Sequence, residues 1–328
     1  MDTYICIHNR LNMEVDKYDW STWTKENFVA SGGAARVVSY IGAVEKLEEC
    51  GRLAGFKRFA GSSAGSICAS VLSFRAPVKK VRDILLGLDF KALLDDDIGI
   101  VRDSIRFIKD YGFYKGDALE DWIESILKEL TGDADITFAQ AHAKYGTELV
   151  ITGTNLSRRI TEFYHYKTFP DMKISKAIRI SCSIPFVFKA VKRPYTANGI
   201  TYDEVLVDGG VLNNYPVWVF NKDGSLCESR VHAMPNENTI GLQIFYGNTD
   251  GQFRNLKNIE KYARGLIDSL FSEIHRGHVT SDYWQNTVSV VIDFATDDIK
   301  VSLDQKLAMI ECGRKCMTQF LEKYKIRS

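Results

Sequence analysis

Two short runs of this 328-residue chain hold residue types able to perform covalent chemistry. The first is Gly61-Ser62-Ser63-Ala64-Gly65, which follows an apolar, strand-like run and enters a stretch of small residues, Ser66 to Leu72. Strand, tight turn and helix form the setting in which Gly-x-Ser-x-Gly raises a nucleophile. Such a turn leaves no room for a Cβ on either side of the central serine, so Gly61 and Gly65 flank it. Ser63 is then held strained at the amino end of the helix, whose free N–H groups favour developing negative charge. Ser62 fills the variable position. A flexible turn would use the same five residues, so the decision rests on a partner. A hydroxyl is a weak nucleophile near neutral pH until a base accepts its proton.

The second run is Asp208-Gly209-Gly210, closing the apolar run that begins at Glu204. A carboxylate carried on the carboxyl end of a strand is expected at the same sheet edge as Ser63. An Asx turn closing a loop is the plain alternative. The six histidines are His8, His142, His165, His232, His275 and His278. A Ser-Asp-His order wants a late histidine, but His232 sits in a polar run and His275 and His278 lie at a helix end. All three read as solvated, and the pairing with an elbow serine favours the catalytic reading of Asp208. A third run, Ala30 to Arg36 ("ASGGAAR"), leaves another strand and enters a helix, so its amides face that edge as well. It could cradle a phosphate, but it lacks the Lys-Ser/Thr ending of a nucleotide-binding loop.

The elements that must position these runs alternate. Strand-like runs are 27–31, 56–61, 147–156, 204–210, 239–247 and 287–294, several of them continuously apolar, as strands covered on both faces are. Helical periodicity marks 39–51, 116–132, 254–274 and 304–324, with Asp117 expected to cap the second. Strand followed by helix predicts an α/β fold: a three-layer α/β/α sandwich around a mostly parallel sheet. Chemistry in such sheets collects at the carboxyl ends of the strands. No repeat or low-complexity linker interrupts the chain.

Lys plus Arg and Asp plus Glu each number 42, so the formal net charge is zero, and no basic excess points to nucleic acid. The seven cysteines are odd in number and scattered, which reads as free thiols in a reducing compartment. The first ten residues lack a secretory pattern, and the uncharged stretch 59–74 is too short and too rich in Gly and Ser to span a bilayer. The expected location is cytoplasmic, with peripheral membrane contact.

With those residues in hand, the chain resembles the patatin-like phospholipases, lipid acyl hydrolases with a Ser-Asp dyad on an α/β/α fold. The resemblance runs from "SGGAARVVSYIGAVEKLEECG" through "FAGSSAGS", "YKGDALEDWI", "ELVITGTNLSRRITEF" and "KAIRISCSIPFVF" to "VDGGVLNNYPV". It implies a catalytic core over 28–221, an amino-terminal extension over 1–27, and a 222–328 segment completing the same globular unit. It also implies Ser63 as nucleophile, Asp208 as base and Gly32, Gly33 and Ala34 as the oxyanion loop, with Arg36 at the basic position and Gly61, Gly65, Gly209 and Gly210 in support. The family loop reads Gly-Gly-Gly-x-Arg/Lys-Gly, and here Ala34 and Val37 stand in place of two glycines. That departure points to a slow enzyme. The implied reaction needs no metal or cofactor and acts on a phospholipid or lysophospholipid at a membrane or micelle surface. Acyl transfer to another acceptor, a non-catalytic lipid-binding role and a Ser-His-Asp esterase are the rivals. Nothing in the chain points to a protein partner.

Overall fold

The computed structural model describes residues 23–94, 111–246, 281–292 and 301–323, with isolated positions at 262, 265, 266 and 269. Residues 1–22 of the expected extension, most of the expected 254–274 helix, Cys6, His8, His275 and His278 lie outside the described residues.

One eight-stranded sheet organises the chain, in the order β10-β9-β1-β2-β4-β8-β7 with β5 also on β4. Five strands run parallel: β1 (Asn27–Ala30), β2 (Arg58–Ser62), β4 (Glu148–Asn155), β9 (Thr239–Tyr246) and β10 (Thr287–Ile292). β1 and most of β4 are buried throughout, as expected for strands covered on both faces. β5 (Ile160–Tyr164) and β8 (Ile200–Asp208) run antiparallel to β4, and β7 (Val191–Ala197) antiparallel to β8. A separate two-stranded sheet pairs β3 (Gly112–Tyr114) with β6 (Phe186–Phe188). The fold is α/β with a mostly parallel central sheet, as the alternation predicts.

Among the described residues seven helices cover one face: α1 (Ser39–Glu49), α2 (Ala64–Ser73), α3 (Val78–Gly87), α4 (Asp117–Thr131), α5 (Phe138–Tyr145), α6 (Ile174–Ser181) and α8 (Leu303–Lys323), which bury Phe28, Ile41, Ile67, Ile151 and Met317 in one core. The other face buries Val29, Ala60, Val150 and Phe163 under Tyr215, Trp218, Val219 and Tyr283. α4 ends at Gly132 with φ 82°, where the left-handed conformation returns an N–H to the Lys128 carbonyl. Its N-cap is Gly116; Asp117 is the first helical residue instead, where its charge meets the helix dipole.

One expectation about direction fails. Asp208 does end a strand, but that strand is antiparallel, and an antiparallel strand normally ends at the opposite edge. The register explains why Asp208 nevertheless arrives beside Ser63. β2 pairs with β4 from Glu148 to Thr152, and β8 takes over the same side of β4 from Gly153 to Asn155. β5 occupies the other side of β4 along 151–155. β2 and β8 therefore meet end to end in one lane, Ser62 opposite Thr152 and Asp208 opposite Gly153.

Candidate active site

At that junction Ser63 is the N-cap of α2, with φ 49° and ψ −137°, a backbone state that costs a non-glycine residue on the order of 1–3 kcal/mol. Neighbours hold it there. Its N–H donates to Ser181 Oγ (2.8 Å), and its carbonyl accepts from the Ser66 amide (2.8 Å) and the Ser66 hydroxyl (2.6 Å). The flanking glycines are close-approach positions. A Cβ on Gly61 would lie 2.5 Å from the Gly65 carbonyl oxygen, and one on Gly65 would lie 2.3 Å from that of Ser31. The elbow thus packs directly on the end of β1.

Ser63 Oγ donates to Asp208 Oδ2 at 2.7 Å. Asp208 is fully buried, and its Oδ1 accepts from the Gly210 amide at 2.7 Å. Gly210 begins the short helix α7 (Gly210–Asn213). Burial pushes the Asp208 carboxyl up from 3.8 to about 7, against the opposing pull of the Ser63 hydroxyl and the Gly210 amide. A buried carboxyl with that affinity for a proton, touching a hydroxyl, can take the hydroxyl's proton near neutral pH and return it. Gly209 fits against Thr152 and Ser62: its Cβ would lie 2.4 Å from Thr152 Oγ1.

The glycine loop reaches the same place. Gly32 lies against Ser63 and Asn214, where a Cβ would come within 2.8 Å of Ser63 Cβ and 2.3 Å of Asn214 Oδ1. The Gly32 amide donates to the Asn214 carbonyl (3.2 Å), and Asn214 Nδ2 donates back to the Gly32 carbonyl (3.2 Å). The Gly32 amide is therefore committed to Asn214, although the expected donor set counted it with Gly33 and Ala34. Gly33 is extended (φ 176°), and Ala34 opens the 3-10 helix Ala34–Val38 at φ 47°, in the left-handed region. Arg36 is nearly buried within that turn, and its amide donates to the Gly33 carbonyl (3.0 Å).

Ser181 is the residue that sequence reasoning passed over. It ends α6, is fully buried, accepts from the Ser63 amide through its hydroxyl and takes the Gly209 amide on its carbonyl (3.2 Å). Two residues on, the Ser183 carbonyl accepts from the Asp208 amide (2.9 Å). Arg179, also buried, fastens this segment to the Gly116 and Lys115 carbonyls (2.9 and 2.6 Å). One turn, 181–183, thereby references both reacting residues to each other. Its sequence signal is slight: a serine at a helix end serves many roles.

The described histidines stand elsewhere. His165 is buried against Glu148 (3.2 Å) at the start of β4, the edge opposite Ser63. His142 stacks on Tyr166, and His232 lies in an exposed 3-10 turn. None of the three bonds Ser63 or Asp208. A cavity of about 480 Å³ lined by Glu48, Leu53, Phe59, Leu72 and Arg75 also opens at that opposite edge, away from the dyad.

The patatin-like phospholipase family profile matches residues 28–221, from β1 through the Asp208 turn. The chain belongs to the patatin-like phospholipase family. Membership places it among lipid ester hydrolases. It is 29% identical over 309 residues to the uncharacterized protein YqhO of Bacillus subtilis, covering 90% of this chain and 98% of that one. It is 29% identical over 205 residues to the triacylglycerol lipase ptl3 of Schizosaccharomyces pombe, covering 57% of this chain and 40% of that one. Among solved structures, VipD from Legionella pneumophila superposes with a TM-score of 0.55 at 16% identity, over 92% of this chain and 67% of that one, a likeness of fold. In this patatin-like chain no described helix is long and apolar enough to cross a membrane.

Proposed function

We propose that the chain cleaves fatty acyl esters of phospholipids or lysophospholipids through a Ser63 acyl-enzyme, with Asp208 as the only side-chain base. The observation that carries this reading is the 2.7 Å hydrogen bond from a strained, nearly buried Ser63 to a fully buried carboxylate whose proton affinity is poised near neutrality. Ionised Asp208 takes the Oγ proton as Ser63 attacks the ester carbonyl. The Gly33 and Ala34 amides and the amino end of α2 lower the energy of the resulting oxyanion. Asp208 then passes the proton to the departing alcohol, so that the C–O bond breaks and an acyl-Ser63 ester remains. Water, deprotonated by the same carboxylate, releases the fatty acid and returns the proton to Ser63. Among the described residues no cation is a cause of the Asp208 shift, and a paired carboxylate would hold its proton too weakly to serve as this base.

A fluorophosphonate probe tests the assignment: wild type should be labelled on Ser63, and Ser63→Ala should not be labelled. Mass spectrometry of lipids after incubation then identifies the substrate. The name of the ptl3 relative favours triacylglycerol as a second substrate class, so that lipid belongs in the same incubation. Free fatty acid with lysophospholipid or glycerophosphodiester is the expected product. Labelling at another serine would remove Ser63 from the mechanism.

A further inference from the structure

The lane that brings Asp208 to Ser63 also carries the chain past the carboxyl edge of the parallel sheet. There β5, β4, β8 and β7 form an antiparallel apron ending in two hairpin tips, residues 156–160 and 197–200. The second tip turns at Asn198-Gly199, both with positive φ (52° and 75°), the two-residue hairpin turn that matches strand twist. Cross-strand partners share a face, so Tyr195 with Tyr202 and Ala197 with Ile200 lie on the face that continues through Glu204 and Leu206 to Asp208. Tyr202 and the dyad are six residues apart on β8, about 20 Å.

The root of the apron is closed electrostatically. Arg193 bridges Glu162 and Glu204 (2.9 Å to each), both acids buried, and Arg158 also pairs with Glu204. The outer part is different. Leu156, Ile160, Tyr195, Ile200 and Tyr202 are all exposed, Ile200 at 55% and Tyr202 at 53%. Of the thirteen large hydrophobic residues exposed among the described residues, five fall within 156–160 and 195–202. The exposed ionisable groups around them are Arg158, which pairs with Glu204, and Arg159 and Lys192, against one exposed acid, Asp203, in a chain of zero net charge. The Arg158 guanidinium lies 4.4 Å over the Tyr195 ring. Lys192 and Pro194 on the outermost strand also guard against edge-to-edge pairing. That role does not explain tyrosines and isoleucines left in water at the tips.

We propose that this apron docks the protein on an anionic phospholipid bilayer, Tyr195, Ile200 and Tyr202 entering the headgroup boundary while Arg158, Arg159 and Lys192 meet lipid phosphates. The inference rests on the proposed lipid hydrolysis, which gives such a surface its purpose. Tyrosine suits a boundary that is apolar at one end and wet at the other. Each basic residue near an anionic surface strengthens partitioning by about fivefold. Zero net charge means that long-range attraction to such a membrane must come from a local patch of this kind.

Flotation of the full chain with vesicles of phosphatidylcholine, alone or mixed with phosphatidylserine, tests it. Wild type should float with the mixed vesicles, less well without phosphatidylserine, and less well in high salt. Ile200→Ser with Tyr202→Ser, and separately Arg159→Glu with Lys192→Glu, should each weaken flotation by at least about tenfold. The second pair protects the test should the first perturb the hairpin. Turnover of a soluble short-chain ester should stay within about twofold of wild type in both pairs, and Ser63→Ala should float normally. Flotation unchanged in both pairs, or no flotation of wild type, overturns the docking surface while soluble-ester turnover still reports on the hydrolase. Loss of dimerisation in either pair, with flotation intact, assigns the surface to a second copy of the chain and likewise overturns the proposal.

Discussion

The elbow and the glycine loop face the same reacting position, yet they are built to different standards. Ser63 is held at its amide by Ser181 and at its carbonyl by Ser66, while Asp208 is tied at its amide to Ser183 and at its carboxylate to Gly210. Each of these bonds is between 2.6 and 2.9 Å. In the loop, the bonds at Gly32 and Gly33 to Ser31, Asn214 and Arg36 run from 3.0 to 3.2 Å, and Ala34 carries a positive φ without being glycine. Strain at Ser63 is held by shorter bonds than those described at the glycines before Ala34. On the proposed mechanism, the contrast makes proton transfer the rigid part of this site and oxyanion stabilisation the part where rate can still be gained.

Substitutions that break the rigid half should cost most. Ser63→Ala should remove turnover of a short-chain ester, by on the order of 10⁴-fold or more. Ser62→Ala should keep most of it, since the buried Ser62 hydroxyl finds no hydrogen-bond partner among the described residues. Asp208→Asn should lower kcat by at least about 100-fold. It also carries a stability signature. A carboxyl raised from 3.8 to about 7 in the fold binds a proton more tightly there than in the unfolded chain, so its contribution is full below about pH 4 and is lost as pH rises to 7. Melting of the two proteins at pH 4 and pH 8 should show wild type losing ground to Asp208→Asn, by a difference of a few kcal/mol. A difference independent of pH would mean that Asp208 does not titrate there.

Ser181→Ala should act more mildly. The Ser63 amide loses its acceptor while buried, a cost of roughly 1–3 kcal/mol. Steady-state kinetics should show kcat down about tenfold with KM unchanged, and an unaltered kcat would reduce Ser181 to packing. The smallest effect belongs to the loop. Ala34→Gly relieves about 1 kcal/mol of left-handed strain, and kcat should hold or rise up to about fivefold with little change in KM. A clear loss of activity would show that Ala34 pre-organises the loop and would erase the contrast between the two halves.

The elbow was legible because its chemistry restricts residue type: Gly61 and Gly65 touch backbone where no Cβ fits. Asp208 was legible as a residue and not as a direction, since the apolar run 204–207 looks alike in parallel and antiparallel strands. The register that makes β2 and β8 share one side of β4 is a tertiary fact. β7 and the outer half of β8 escaped notice because they stand beyond the core and lack a buried face to impose alternation. The Asn198-Gly199 turn was their available signal. Ser181 stayed hidden because its role lies in a bond to a residue 118 positions away.

The pH dependence of kcat/KM on a soluble short-chain ester tests the dyad most directly. Because the base must be ionised, the account predicts a logarithmic profile that rises with unit slope below about pH 7 and flattens above it. In Asp208→Asn that inflection should vanish together with the rate. Full wild-type activity at pH 5, or an Asp208→Asn enzyme that keeps both the rate and the inflection, would contradict a Ser63–Asp208 dyad.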